Sequence, residues 1–240
     1  MRNQFRCQAP RLRRGARHRR EIVIVGAGGL GKEILQYAKD FCAATSGYRV
    51  KGFVDRDPLR QGTDHCGYPV VGADDGCAIG AHDVYLLALG TPEGRKQAVE
   101  ALQARGAAFL TLVHPLASVA PSAEVRTGSV ICPFAYVGPD AVVEEYVLVN
   151  LYASCGHDVR IGRYAVLGPY VCTNGHAAIE EEVFLATHAT VTVGKRVGRG
   201  SKVSAGAVVT QDVPPHVLAA GNPVRWRELE AMQAVWKQDR

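Results

Sequence analysis

The sequence predicts an α/β half-domain of Rossmann-like type followed by an all-β parallel β-helix. Three observations carry this. Apolar strands alternate with helical stretches from Glu21 to Val113, the turn Gly26-Ala27-Gly28-Gly29-Leu30-Gly31 joins the first strand to the first helix, and from Val119 an aliphatic residue recurs every six positions.

In the 240-residue chain, residues 1–20 carry 8 arginines and no acid. Taking those 8 charges from the formal +5 leaves −3 for the remainder, which argues against a nucleic-acid groove or an anionic membrane surface as partner. The tail has no apolar stretch of secretory type and is read as a disordered basic extension. No later segment approaches the roughly 18 consecutive apolar residues of a membrane span. The 7 cysteines are odd in number and form no C-x-x-C pair, so they fit neither a disulfide framework nor a zinc site and suggest reduced thiols in the cytoplasm.

Residues 21–115 form the expected first folded unit. Strands are predicted over Ile22–Val25, up to Asp55, over Tyr85–Leu89 and over Phe109–Val113, with helices over Lys32–Cys42 and Pro92–Arg105. The glycine turn lies between strand and helix, where backbone N–H groups and the helix dipole favour an anion, and Asp55 lies at the end of the next strand, placed to accept from a ribose or sugar hydroxyl. A span of 95 residues suffices for one mononucleotide-binding half, which argues against a redox dinucleotide; a tight turn serving only helix–strand packing is the plain alternative. Arg95, near the start of the second helix, is placed either to meet a phosphate or to lie in solvent.

Residues 116–226 form the second unit. Steps of six from Val119 to Val209 meet an aliphatic residue everywhere except Cys155 and Thr173, and two positions earlier runs a small or aliphatic series from Ala117 to Ala207 that only Lys195 interrupts with a large charged side chain. That alternation suits triangular coils, three hexads to a coil and about five coils in all. Residues 227–240 are expected to add a helix, over Glu228–Gln238, capping the prism.

Histidine is the natural base at neutral pH, and His157 stands in the string Asn150-Leu-Tyr-Ala-Ser-Cys-Gly-His157-Asp158-Val-Arg-Ile-Gly162. That string resembles the catalytic segment of the hexapeptide-repeat sugar acyltransferases of the sialic-acid O-acetyltransferase and bacillosamine-type nucleotide-sugar N-acetyltransferase kind. Pro214-Pro215 and Gly221-Asn222-Pro223 resemble the exit from the β-helix in the same proteins. The resemblance implies a left-handed β-helix, a homotrimer with active sites between subunits, and acetyl-CoA as co-substrate without a bound cofactor. It implies His157 as general base and Asp158 as the acid orienting it, although Asp158 beside Arg160 also suits a simple capping role. It further implies Gly28, Gly29, Leu30, Asp55, Arg56 and Asn150 at the sugar nucleotide, and Val166, Thr187 and Ala205 at acetyl-CoA, with Lys195 or Arg225 near its phosphates.

One departure stands out: members of the family often carry a second histidine nine residues beyond the base, where this chain has Val166. The expected reaction is acetylation of the amine of a nucleotide-linked amino sugar. O-acetylation of a sialic acid or glycan hydroxyl, and non-catalytic nucleotide-sugar binding, are the alternatives. No metal site is expected, because His157, His176 and His188 are 19 and 12 residues apart and leave no i, i+5 pair on one coil.

Overall fold

The computed structural model describes residues 19–229. The basic tail up to residue 18, and the predicted terminal helix beyond Leu229, lie outside the described residues.

The N-terminal unit is built as the alternation predicts. Strand β1 (Arg20–Val25), helix α1 (Gly29–Ala44), strand β2 (Tyr48–Val54), strand β3 (Asp83–Leu87) and helix α2 (Pro92–Gln103) follow in order. The three strands form a parallel sheet in the order β2-β1-β3. Apolar runs such as Ile22–Val25 are buried on both faces because α1 covers one side and α2 the other. Helix α1 begins three residues earlier than the pattern suggested, because its N-cap is Gly28 and the glycine turn itself starts the helix. Helix α2 starts on Pro92 with the Thr91 side chain accepting from Gly94 N–H, a well-formed N-cap.

The predicted strand Phe109–Val113 is divided between the two units. Phe109 bridges to Tyr85 beside β3, whereas Leu112–Val113 pairs with Val130–Ile131 and opens the β-helix four residues before position 116. The prism has three parallel sheets of two-residue strands. A first face runs from Leu112–Val113 to Val217–Ala220, a second from Ser118–Val119 to Val208–Val209, and a third from Glu124–Val125 to Arg196–Val197. The second face alone holds six strands, so the chain winds six coils rather than about five. Cα partners on neighbouring coils are 18 residues apart, as in Tyr136 beside Ser154.

Both repeating series point inward: Ala135, Val137, Ala141 and Val143 are essentially inaccessible and continue into one apolar column. The coil turns at the residue just before each small one. Phe134, Asp140, Tyr146, Tyr152, Asp158 and Tyr164 all have φ near +60°, and the period of six carries on to His188. A left-handed residue other than glycine costs about 1–2 kcal/mol. Ladder hydrogen bonds between coils and aromatic stacking along the corners offset it: Phe134, Tyr152, Tyr170 and His188 form a continuous stack with centroids 4.8–5.0 Å apart.

The two units are docked on each other. The outward residues of the first face, Val130, Leu148 and Val166, share one apolar cluster with Ile34, Leu35 and Ala38 of α1. At the corner between third and first faces, Tyr146 and Tyr164 stack at 5.4 Å and pack with Val99 and Leu102 of α2. Arg95 corrects the sequence expectation of a phosphate contact or a solvated position. It is fully buried, donating Nε–H to Tyr146 O at 2.7 Å and Nη1–H to Leu89 O at 3.1 Å, and so ties the units together; burial disfavours its charge.

After the last coil the chain turns back on itself. Arg225–Glu228 is a strand antiparallel to Val217–Ala220, so residues 227 and 228, expected in a helix, extend the first face instead. Among the described residues no helix is long and apolar enough to cross a membrane.

Candidate active site

His157 and Asp158 occupy the corner between the second and third faces, in the turn joining Ser154–Cys155 to Arg160–Ile161. Adjacent residues of an extended strand point to opposite sides, which makes contact between these two side chains unexpected. The left-handed conformation of Asp158, φ 58°, resolves this: the chain reverses there, and His157 Nδ1 lies 2.8 Å from Asp158 Oδ2. The hydrogen bond from His157, with the nearby His176 adding to it, holds the Asp158 carboxyl below the usual carboxylate range. With Nδ1–H donating to the carboxylate, the lone pair of His157 lies on Nε2, the arrangement a general base requires.

The next coil supplies Gly175, which sequence reasoning missed, and His176, which it weighed only as a metal ligand and set aside. Gly175 stands 18 residues after His157, and a Cβ there would lie 2.4 Å from His157 Nε2, so the imidazole rests on a position only glycine leaves open. His176 stands 18 residues after Asp158, also in the left-handed conformation, with Nδ1 3.8 Å from Asp158 Oδ2 and its ring edge-on to His157 at 5.0 Å. The signal was available in the spacing of 19, which is one coil plus one residue. Residues one coil apart are neighbours, so the lack of an i, i+5 pair does not keep these side chains apart.

The remaining expected residues divide among three places. Asn150 stands at the previous corner, between first and second faces, its Oδ1 accepting from Leu151 N–H at 2.7 Å. Thr187 and Ala205 are exposed on the same corner on later coils. Within one chain, therefore, these three are separated from His157 by the width of the second face. Val166 is at neither corner: it is 2% exposed on the first face, beneath α1, where an apolar side chain is what the domain contact needs. Lys195 is half-buried and Arg225 exposed near the last coils.

In the N-terminal unit the glycine turn is shaped from below. A Cβ on Gly31 would meet Gly26 O at 2.3 Å, and Gly26 has φ +106°, whereas Gly29 faces open space. Asp55 holds the turn: Oδ2 accepts from Ala27 N–H at 2.7 Å and Oδ1 from Asp57 N–H at 2.9 Å. Arg56 is likewise engaged, with Nε donating to Asp74 at 2.8 Å and Nη1 to Gln97 Oε1 at 3.2 Å. Arg60, not singled out from the sequence, lies 3.5 Å from Asp55 Oδ2, and its Nη1 is 3.5 Å from where a Gly28 Cβ would be, which puts a cation beside the turn. A crevice of about 180 Å³ lies between Gly26, Asp55, Arg56 and Leu89.

Comparison with known proteins gives the family. Residues 21–102 match the PglD N-terminal domain. The acetyltransferase domain of PglB from Neisseria gonorrhoeae, solved with acetyl coenzyme A, is 30% identical with a TM-score of 0.77, covering 86% of this chain and 98% of that one. PerB from Caulobacter crescentus, solved with CoA and GDP-perosamine, is 28% identical with a TM-score of 0.76, covering 86% and 97%. WeeI from Acinetobacter baumannii is 28% identical with a TM-score of 0.78, covering 86% and 99%. Among curated relatives, serine acetyltransferase of Salmonella typhimurium is 34% identical over 119 residues, which span 49% of this chain and 38% of that protein. With a glycine-turn α/β unit docked on a left-handed parallel β-helix along nearly the whole length of such structures, the chain belongs to the hexapeptide-repeat sugar acyltransferase family.

Proposed function

We propose that the protein transfers the acetyl group of acetyl-CoA to the amine of a nucleotide-linked amino sugar, with His157 as general base. The observation that carries this reading is the His157–Asp158 pair, exposed at a β-helix corner and seated over a glycine. Two relatives of similar fold, solved with acetyl coenzyme A and with CoA and GDP-perosamine, support both substrates.

The acceptor amine attacks the thioester carbonyl carbon while His157 Nε2 takes its proton, and Asp158 steadies the resulting imidazolium through Nδ1–H. The tetrahedral oxyanion collapses, the C–S bond breaks, and the CoA thiolate leaves to be protonated. The sugar nucleotide rests on the Gly28-Gly29-Leu30 turn, whose N–H groups face its phosphates. Asp55 and Arg56 shape the crevice beside the turn. Asn150 holds the sugar, and Thr187 and Ala205 line the path of CoA; Val166 backs that region from inside the domain contact. Acetyl-CoA as donor suits a cytoplasmic enzyme.

Asn150, Thr187 and Ala205 share one corner while His157 occupies the next, so a site that uses all four closes between neighbouring subunits of a homotrimer. The exposed stack of Phe134, Tyr152 and Tyr170 on the first of these corners, with Phe134 49% accessible, supports that closure: a second prism covers an apolar seam left open in one chain. Incubation with acetyl-CoA and a panel of UDP-, GDP- and dTDP-linked amino sugars tests the reading. Thiol release with one nucleotide sugar is expected; tight binding of a nucleotide sugar with no thiol release on any member would favour a non-catalytic binding protein.

A further inference from the structure

We infer that His157, Asp158 and His176 form an inhibitory site for a borderline transition-metal dication of the Zn²⁺ class. The inhibition, though not the binding, rests on the reading of His157 as base.

One ligand atom from each of the three residues lies within 4.8 Å of the others. Zinc bonds of about 2.1 Å in tetrahedral array place two ligands about 3.4 Å apart. The separations from Asp158 Oδ2, 2.8 Å to His157 Nδ1 and 3.8 Å to His176 Nδ1, bracket that value, so small side-chain rotations bring all three onto one ion. Two imidazoles and one carboxylate suit zinc, copper or nickel rather than calcium or magnesium, which prefer oxygen ligands. All three side chains are open to solvent, at 59%, 44% and 62% accessibility, leaving a fourth position for water. The backbone is already set: Asp158 and His176 hold matching left-handed corners, one directly after the other in the stack.

Metal at this position silences the base by moving a proton rather than by blocking the cleft. In the catalytic tautomer the single ring proton of His157 is on Nδ1, shared with Asp158, and Nε2 is bare. A cation on Nδ1 needs that lone pair, so the proton transfers to Nε2. The neutral ring then has no lone pair left for the acceptor amine. The ring's proton count is unchanged; only its position differs.

The experiment uses the full chain without an affinity tag. Calorimetric titration with Zn²⁺ is expected to show one ion per chain, and the Co²⁺ complex an absorption spectrum without a thiolate-to-metal charge-transfer band, which separates this site from Cys66 or Cys172. His176→Asn keeps a residue that tolerates the left-handed corner while removing the ligand. It should weaken Zn²⁺ binding by roughly tenfold or more, given that even outer partners of metal ligands are worth about 10–100-fold. In acetyl transfer, with the rate of each enzyme measured relative to its own rate with a chelator present, the variant should need at least tenfold more Zn²⁺ for half-inhibition. Unchanged Zn²⁺ affinity in His176→Asn, or a thiolate band with Co²⁺, overturns the site. Full acetyl transfer by His157→Ala would instead refute the base, and with it the inhibition, while the calorimetric titration still decides whether the metal binds.

Discussion

The imidazole of His157 lies against the backbone of Gly175 one coil further on, with Nε2 2.4 Å from where a Cβ would stand. Two residues far apart in sequence thus fix the position of the proposed base. Gly175 is not in a left-handed conformation, so alanine fits its backbone and collides only with the ring. Gly175→Ala is therefore expected to leave the prism folded and to lower kcat roughly 100-fold, the effect of a misplacement near 1 Å. Circular dichroism with steady-state kinetics checks this; unchanged kcat would show that the ring's resting place is not its working one.

Asp158→Asn keeps the size and the corner conformation and removes the charge that steadies the imidazolium. Loss of such a partner is expected to reduce kcat roughly 10- to 100-fold with little change in KM for acetyl-CoA. A variant with full kcat would leave Asp158 with the capping role that its neighbour Arg160 also permits.

Val166, nine residues beyond His157, lies 2% exposed under α1. Val166→His forces a polar ring into an apolar contact and is expected to destabilise the protein by about 1–3 kcal/mol without raising kcat. Denaturant unfolding beside a turnover assay checks both halves.

Glu182 joins the units at the opposite corner, 2.9 Å from Lys96 of α2 and 2.9 Å from Arg199. Partial burial pushes its carboxyl up, but hydrogen bonds from Lys96 and Arg199 outweigh that and hold it below its ordinary value. A folded carboxyl below its unfolded value of about 4.3 adds stability at higher pH and loses it as pH falls through the folded value. Glu182→Gln is thus expected to cost about 1 kcal/mol near pH 7, after allowance for solvent screening, and progressively less below about pH 4. Equal loss at pH 7 and pH 3 would contradict the ion pair.

Much of the prism was legible because one period repeats with few exceptions: the series from Val119 to Val209 names the interior residue of nearly every strand. The docking of the two units was legible too, but at a period of 18 rather than six. The outward residues Leu112, Val130, Leu148, Val166 and Phe184 are all apolar, whereas the corresponding third-face residues include Glu124, Arg160 and Arg196. On that longer period Val166 marks a covered face. The roles of Asp55 and Arg95 were hidden for another reason. Their partners, the Ala27 and Asp57 N–H groups and the Tyr146 and Leu89 carbonyls, are backbone atoms, which no side-chain pattern reveals. Arg225–Glu228 contains Trp226 and packs back as a strand on Val217–Ala220, a pairing set by the turn before it rather than by helical spacing.

The central claim is that His157 removes the proton from an amine on a nucleotide sugar, and acetyl transfer by His157→Ala tests it most directly. With the substrate found in the nucleotide-sugar panel, the account predicts a fall in kcat of roughly 10²- to 10⁴-fold, with acetyl-CoA binding and subunit assembly retained. Turnover within a few-fold of the wild type would contradict it.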